Sequence, residues 1–259
     1  MIDKSSDKRL SPEQAAKLSG PEKSKYVQKV FDRVARRYDK MNDIISLGAT
    51  TRWRIKALRL LNIPSDAGLL DVGTGSGMLP AYLAKKRPDV ECTGIDISQT
   101  MLDIARERVP GAKMLRTDVT DMPFEDCSFD IVTSCFVYRN LSNRDKAVRE
   151  MYRVLKPGGN MMLLDTFAPR SRSMMRPLMS VWLRRIVPLL VSPFAKASDY
   201  RYLAESILAM TDREEIQGTF EKAGFEDVCL VPLEFDTACA LTAKRKTEHN
   251  GHPSDKNGD

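Results

Sequence analysis

Short apolar runs of strand length alternate with amphipathic segments of helix length through the middle of the chain. Strands that alternate with helices along a sequence are typical of βαβ units, which build parallel sheets with helices on their faces. The predicted strands of this kind are Gly68–Val72, Val90–Asp96, Lys113–Thr117, Phe129–Phe136 and Asn160–Thr166. The pattern therefore predicts an α/β fold with one mostly parallel sheet.

Turn and capping signals shape the second half of this pattern. Lys-Pro-Gly-Gly at 156–159 predicts a turn between a helix and the fifth strand. Thr-Asp-Arg-Glu at 211–214 has the pattern of a capping box and predicts the start of a helix that ends at Gly224. The apolar runs Phe225–Pro232 and Thr237–Ala243 then predict a closing antiparallel hairpin.

The hydrophobic pattern also divides the chain. Residues 1–24 and 244–259 are polar, lack a core pattern and are predicted to be flexible. Between them, residues 25–243 are expected to form a single domain, because 259 residues at 42% hydrophobic content suffice for one large core. Within it we expect a helical N-terminal lid over 25–66 and a basic, apolar helical insertion over 167–209.

Composition narrows the location and the chemistry. The sequence has no apolar run of bilayer length and no apolar secretory segment at its start, which predicts a cytoplasmic protein. The five cysteines form no CxxC pair, so neither a metal site nor a disulfide framework is expected and they are interpreted as small core residues. The two histidines, His249 and His252, fall in the C-terminal tail. Histidine is therefore not expected to act as a base or a ligand within the domain.

The formal net charge of +6 is unevenly distributed. Most of the excess of lysine and arginine lies in residues 1–60 and 166–200, whereas residues 61–165 are close to neutral. Basic stripes interleaved with aromatic residues across the core would favour nucleic acid; these are absent, so no nucleic-acid partner is expected. Attraction to an anionic lipid surface fits the distribution, and a solvated positive face is the alternative.

A glycine-rich turn follows the first predicted strand, where residues 71–77 read Asp-Val-Gly-Thr-Gly-Ser-Gly. Glycines let the backbone approach a ligand, and the helix predicted at Met78–Lys86 offers free N–H groups. The GxGxG spacing differs from the GxGxxG of dinucleotide enzymes, and Asp71 would repel a pyrophosphate but suit an ammonium group. Asp96 suits a ribose diol, and Asp118 follows the third strand, where an adenine edge would lie. The sequence thus predicts a nucleotide-like cofactor without phosphates.

Four motifs occur in order: the turn at 71–77, Gly-Ile-Asp-Ile-Ser at 94–98, Asp-Val at 118–119 and Leu-Lys-Pro-Gly-Gly at 155–159. With these motifs the chain resembles the class I S-adenosylmethionine-dependent methyltransferases. The resemblance implies a Rossmann-like fold with a mostly parallel seven-stranded sheet, helices on both faces and an antiparallel terminal strand. It also implies S-adenosyl-L-methionine as the cofactor.

Further segments are similar to the ubiquinone/menaquinone biosynthesis C-methyltransferase family, over about residues 26–243. The similar segments are 30–43, 138–141, 150–155 and 200–206. The resemblance implies methylation of a ring carbon on a demethylated polyprenyl quinol of the demethylmenaquinol type, and hence a lipid-soluble partner.

The resemblance implies cofactor-binding residues at the strand ends and on the lid helix. They are Tyr38, Asp71, Gly73, Thr74, Gly75, Ser76, Gly77, Asp96, Ile97, Met101, Asp118, Val119 and Cys135. For the acceptor, the implied contacts are Met41, Asn42, Tyr138, Tyr200, Tyr202 and Ser206. The alternative for the lid and for Tyr200 to Ser206 is plain helix packing, since a stripe of large side chains at helical spacing commonly faces a core.

The reaction implied by the resemblance needs alignment and a proton acceptor rather than a metal, because a quinol ring carbon becomes nucleophilic once a neighbouring hydroxyl loses its proton. The resemblance points to Arg139 and Asn140, after the fourth strand, as the pair that positions the quinol oxygen or a proton-accepting water. Arginine stays protonated, so stabilisation of the phenolate is favoured over a role as base. The alternative is that Arg139 forms a loop salt bridge and Asn140 occupies a turn.

The insertion mixes large apolar residues with arginines. Leu178, Trp182 and Ile186 could share one face of a helix, while Arg184 and Arg185 reach lipid headgroups. This arrangement is typical of a helix that lies on a membrane surface, which predicts peripheral membrane contact. The same face could instead pack against the sheet or pair two subunits in a homodimer.

Two other functions remain open from the residues. One is a methyltransferase for another small or lipid acceptor, such as an amine headgroup, which would use the same cofactor cradle without needing Arg139. The other is a noncatalytic assembly subunit that keeps the fold. The sequence here differs from many quinone methyltransferases in Cys135 and in Phe-Val-Tyr at 136–138, and these differences bear on the acceptor rather than on the cofactor.

Overall fold

The computed structural model describes residues 11–167, 175–191, 197–210 and 212–247. A seven-stranded sheet runs through its centre. The strands are β1 (Gly68–Val72), β2 (Glu91–Asp96), β3 (Lys113–Arg116), β4 (Phe129–Cys135), β5 (Leu155–Thr166), β6 (Phe225–Leu233) and β7 (Ala238–Arg245). Their order is β3-β2-β1-β4-β5-β7-β6, with β7 antiparallel to both neighbours and the other pairs parallel. The predicted α/β fold with a mostly parallel sheet and a closing hairpin is confirmed.

Ten α-helices lie in the described residues. They are α1 (Pro12–Ala16), α2 (Gly20–Ser46), α3 (Ala49–Leu58), α4 (Met78–Lys86), α5 (Gln99–Arg108), α6 (Arg144–Val154), α7 (Met175–Val181), α8 (Val187–Val191), α9 (Ala197–Leu208) and α10 (Arg213–Lys222). A π-helical turn, Trp182–Ile186, joins α7 to α8, and 3₁₀ turns cover Tyr138–Asn140 and Glu234–Asp236. No helix in these described stretches has the length and apolar character that a bilayer span requires.

Alternate residues of the central strands pack into cores on opposite faces of the sheet. Leu70 and Val132 belong to a cluster with α6 and α10, whereas Leu69 and Ile131 pack with α3 and α4. All four side chains are fully buried, as expected for strands covered on both faces. A third cluster joins α2 to α9 and includes Leu183 of the π-helical turn.

The structure differs from the sequence prediction at 156–159. These residues do not form a separate turn: α6 ends at Val154, and β5 begins at Leu155 and includes them. Pairing with β4 moves from Phe129–Leu155 to Ile131–Asn160, so Lys-Pro-Gly-Gly forms a bulge within the strand. Proline and glycine mark an irregular strand here as readily as they mark a loop.

The two ends of the chain also differ from the prediction. Residues 12–16 form α1 inside the expected polar tail, and a capping box at Ser11 and Gln14 satisfies its first N–H groups. At the other end, β7 continues to Arg245. The cysteines are not uniformly core residues, since Cys239 is buried and Cys229 is exposed. Outside the described residues lie positions 1–10, 248–259 with both histidines, and Thr211 of the predicted capping box.

The glycine turn after β1 combines close packing with open space. Gly77 has a φ of +77°, and a Cβ there would lie 2.9 Å from the Ala105 Cβ on α5. Gly75 has a φ of +56° but nothing within 4 Å of a Cβ. The two glycines therefore share a left-handed backbone but differ in what surrounds them.

This contrast predicts that alanine lowers the free energy of unfolding by different amounts at Gly75 and Gly77. Gly75→Ala should destabilise the cofactor-free protein by about 1 kcal/mol through backbone strain alone. Gly77→Ala should cost about 1–3 kcal/mol more, because overpacking against Ala105 adds to the strain. Urea unfolding of both variants measures the difference, and equal free energies of unfolding would contradict the packing argument.

Candidate active site

A cavity of about 980 Å³ lies where the carboxyl ends of the central parallel strands meet α2. The strand order reverses between β1 and β4, and open α/β sheets bind ligands at such a switch point. The predicted cofactor residues that line it are Tyr38, Asp71, Gly73, Thr74, Gly75, Ser76, Asp96, Ile97, Met101, Asp118, Val119 and Cys135. Gly77 does not line the cavity, since its role is the close packing against Ala105.

Asp96 ties the glycine turn to the end of β2. One carboxylate oxygen accepts a hydrogen bond from the Gly75 N–H at 2.9 Å, and the other accepts from the Ser98 N–H at 2.8 Å. Burial raises the pKa of Asp96 above its ordinary value, while these backbone donors oppose the shift. The carboxylate is thus fixed by the backbone in the wall of the cavity, the placement needed to accept hydrogen bonds from a ribose diol.

Asp71 lies deeper, at the end of β1, and only 2% of its surface is exposed. Its carboxylate accepts a hydrogen bond from the Thr133 hydroxyl at 2.9 Å. Burial raises the pKa of Asp71 to about 6, with the Thr133 hydrogen bond and the charge of Arg54 acting in the opposite direction. Near neutral pH the floor of the cavity therefore carries a negative charge, which suits an ammonium group.

Helix α2 covers the cavity through polar contacts that the sequence analysis did not identify. It reaches the segment after each of the first four strands in sheet order. The contacts join Asp39 to Ser76 and Arg108, Asp32 to Ser98, Ser24 to Asp118, and Lys23 to the Arg139 carbonyl oxygen. Lys23 is 4% exposed, and burial lowers its pKa to about 8. Polar residues on the otherwise apolar inward face of this helix were the available sequence signal.

Arg139 and Asn140 lie on the 3₁₀ turn after β4, and each is 7% exposed. The Arg139 guanidinium forms a buried ion pair with Asp165, at the end of β5. Its Nε has no hydrogen-bond partner among the described residues. The Asn140 Oδ1 accepts a hydrogen bond from the Tyr202 hydroxyl at 3.1 Å. The salt bridge predicted as the alternative for Arg139 is present, but its partner is a buried strand residue.

The two residues of this turn face different cavities. Asn140 lines the cofactor cavity, whereas Arg139 lines a second cavity of about 380 Å³ between α2, the π-helical turn, α8 and α9. Tyr38 lines both and so forms part of the wall between them. The remaining residues of the second cavity are Asn42, Ile45, Leu183, Val187, Leu203, Ala204 and Ile207.

Most residues predicted to contact the acceptor lie elsewhere. Tyr138 packs in the core with its ring 6.4 Å from that of Phe220, and Met41 is buried in the cluster beneath α2. Tyr202 is fully buried and reaches Asn140, while the Ser206 hydroxyl donates to the Leu203 carbonyl oxygen at 2.7 Å. Among the described side chains of this set, Asn42 alone lines one of these two cavities. The Tyr200 side chain lies outside the described residues.

Other chemistry at the site is restricted. The described part of the chain has no group of three or more His, Cys, Asp or Glu residues that could hold a metal ion. Burial raises the pKa of the Cys135 thiol, so the thiol stays protonated and is unsuited to act as a nucleophile. Groups that align substrates and stabilise charge remain.

The residues present fit S-adenosylmethionine. Four carboxylates line the main cavity, from Asp39, Asp71, Asp96 and Asp118, and the cofactor is a cation with a ribose and an adenine to bind. Gly75 leaves open space at the point where the chain turns from β1 into α4, so the backbone can approach a ligand there.

Comparison with known proteins agrees with this reading. Residues 20–245 match the model of the ubiE/COQ5 methyltransferase family. A demethylmenaquinone methyltransferase of Thermotoga maritima is 34% identical, over 85% of this chain and 96% of its own. A ubiquinone/menaquinone biosynthesis C-methyltransferase of Geotalea daltonii is 31% identical, over 86% and 98%.

Solved structures share the fold. The [4+2]-cyclase SpnF superimposes with a TM-score of 0.64 at 18% identity, covering 87% of this chain and 97% of its own. An S-adenosylmethionine-dependent methyltransferase from Aquifex aeolicus gives 0.58 at 19% identity, covering 80% and 97%. Since the family model and its relatives span most of its length, the chain belongs to the ubiE/COQ5 methyltransferase family, and its cofactor is S-adenosylmethionine.

Proposed function

We propose that this enzyme methylates a ring carbon of a demethylated polyprenyl quinol of the demethylmenaquinol type. The observation that carries the proposal is the turn at Arg139 and Asn140, which stands between a cofactor cavity and a second, mostly apolar cavity. The relatives named for demethylmenaquinone support the same acceptor class. A cytoplasmic location with contact at the membrane surface accompanies this proposal.

The cofactor supplies an electrophilic methyl group when bound, and this chain's residues hold it. In the proposed arrangement Asp96 accepts hydrogen bonds from the two ribose hydroxyls. Asp118 lies at the adenine end of the cofactor, and Asp71 faces its ammonium group. The α2 contacts cover part of the cavity above them. Removal of a charge from bulk water strengthens its interactions.

As the quinol hydroxyl gives its proton to a water molecule, Arg139 stabilises the negative charge that develops on the oxygen. The ring proton that the methyl group replaces then also passes to water, and the ring becomes aromatic again. The buried Arg139 Nε–H has no hydrogen-bond partner among the described residues, so this donor is not used within the protein. The Asn140 Oδ1 accepts a hydrogen bond from the Tyr202 hydroxyl, so the Asn140 NH₂ group is the part that donates to the quinol. Both side chains are held before the acceptor arrives, which is the condition for electrostatic stabilisation of a transition state.

The second cavity favours a prenylated ring over an amine headgroup. Among the described residues, its lining consists of aliphatic side chains with Tyr38, Asn42 and Arg139 and includes no carboxylate. An ammonium group there would find no free anion, since Asp165 is already paired with Arg139, whereas an isoprenoid chain would meet Leu203, Ala204 and their aliphatic neighbours. We therefore assign the ring-proximal part of the acceptor to this cavity.

The helices that wall the second cavity also carry exposed apolar side chains. Leu183 and Val187 face the cavity, while Leu178 and Leu189 are 62% and 74% exposed. The other exposed members of this outer face are Val181, Ile186 and Leu190. Trp182 packs instead with the cluster under α2. Together with exposed Arg185, this face suits an anionic bilayer surface from which a lipid-soluble quinol could enter.

The first test is methyl transfer. Incubation of the enzyme with methyl-labelled S-adenosylmethionine and reduced demethylmenaquinone should label the ring, with the product identified by mass. Arg139→Ala should lower turnover about 100-fold or more, because stabilisation of the phenolate is lost, while the Kd for the cofactor stays unchanged. Unchanged turnover in Arg139→Ala, or no labelled quinone with the native enzyme, would contradict the proposal.

Two controls separate chemistry from folding. Arg149→Ala removes an exposed arginine of α6, the helix that follows the same turn, and should leave turnover unchanged. Arg139→Ala leaves the Asp165 charge buried without its partner, which can destabilise the fold. The second control is therefore the double variant Arg139→Ala with Asp165→Asn, which removes both charges. The double variant should fold and bind cofactor but remain inactive.

The raised pKa of Asp71 predicts a pH dependence of cofactor binding. If its carboxylate holds the ammonium group, protonation weakens binding below a pKa of about 6. The Kd for S-adenosylmethionine should therefore rise about tenfold between pH 7 and pH 5. Asp71→Asn should bind more weakly at pH 7 and lose most of this dependence. Parallel pH profiles for the native and variant proteins in calorimetry would contradict the role of Asp71.

Membrane contact through the exposed face is testable with vesicles. Leu189→Glu should lower the partition coefficient on phosphatidylglycerol vesicles about tenfold, because it replaces a large apolar group by a charge. Leu60→Glu is the matched control, since Leu60 is 42% exposed beyond the end of α3. Equal partition coefficients for the two variants would show that this face does not contact the membrane. A change of oligomeric state in Leu189→Glu alone would assign the face to a homodimer instead.

A further inference from the structure

Arg54 is a cavity residue that the sequence analysis did not single out. It lies on α3, and among the residues that line the cofactor cavity in the described structure it is the one lysine or arginine. Its neighbours on the helix point elsewhere: Trp53 and Lys56 both donate to the Glu234 side chain, at 3.1 and 2.8 Å. Arg54 alone of this helix's cations faces the cavity.

The guanidinium of Arg54 is positioned without a protein anion. Its Cζ lies 4.9 Å from the centroid of the Phe136 ring, a cation–π contact that orients the group. Within the described residues it has no hydrogen bond or ion pair with a carboxylate. It is nevertheless close enough to the floor of the cavity for its charge to lower the pKa of Asp71 against the effect of burial. Arg54 is thus a positioned cation close to the buried Asp71, and its N–H donors are not used by a protein carboxylate.

Only one part of the cofactor carries a negative charge that such a cation would bind. The sulfonium and the ammonium group are positive, and the ribose and adenine have Asp96 and Asp118 at other strand ends. The carboxylate of the amino-acid end is the single anion, and a guanidinium binds a carboxylate through two parallel N–H donors. We propose that Arg54 binds this carboxylate and, with Asp71 at the ammonium group, fixes the amino-acid end of S-adenosylmethionine.

The test compares ligands with and without the amino-acid end. In calorimetry, Arg54→Met should raise the Kd of S-adenosylmethionine and of S-adenosylhomocysteine by about tenfold or more, the loss expected for a charge-assisted hydrogen-bonded pair. The Kd of 5′-methylthioadenosine, which has the adenosyl group but no carboxylate, should change less than about twofold. Arg54→Lys should recover part of the loss.

Arg59→Met is the matched control, because Arg59 is exposed at the C-terminal end of the same helix. It should leave the Kd of all three ligands unchanged. Equal weakening of all three by Arg54→Met would assign Arg54 to packing on Phe136 and overturn the proposal, as would unchanged binding of all three. None of these measurements uses an acceptor, so their outcome is independent of whether the acceptor is a quinol.

Discussion

Both cavities of this enzyme depend on the polar contacts that tie α2 to the ends of the parallel strands. Since parallel strands end at the same edge of the sheet, one helix can reach the segments after four of them. Asp39, Asp32, Ser24 and Lys23 make these contacts in turn. The same helix contributes Tyr38 to the wall between the cavities. The position of this one helix therefore sets the shape of both cavities.

The buried pair of Arg139 and Asp165 follows from the pairing of β4 with β5. The turn after β4 and the end of β5 are neighbours at the same sheet edge, so an acid at the end of β5 meets an arginine on that turn. Burying the pair is costly, and removing one partner from such a pair typically costs about 3–5 kcal/mol. That cost holds the guanidinium beside Asp165, while its buried Nε–H stays without a partner among the described residues.

Local signals in the sequence predicted much of the fold and of the cofactor cavity. The bounds of β1 and α4 match the predicted ones, because a buried strand, a glycine turn and an amphipathic helix are each encoded within a few residues. The acceptor side could not be predicted in this way. Whether Tyr202 or its neighbour Leu203 faces a cavity depends on the rotation of α9 against α2, which the spacing of tyrosines does not fix. Arg54 was missed for a related reason: only tertiary packing separates it from Lys56, which binds Glu234.

The two cavities differ in charge in a way that suits transfer of a methyl group between them. Four carboxylates and one arginine line the first, which favours a cationic ligand, whereas the described lining of the second is mostly apolar and its one charged residue, Arg139, is paired with Asp165. In the proposed reaction, methyl transfer from the sulfonium to a phenolate neutralises both charges, and each cavity holds groups that stabilise its own reactant. Stabilisation of both ground states would slow the reaction unless the reacting atoms are held close together. In the proposed reaction this contact occurs at Tyr38, which lines both cavities, so alignment there supplies the rate.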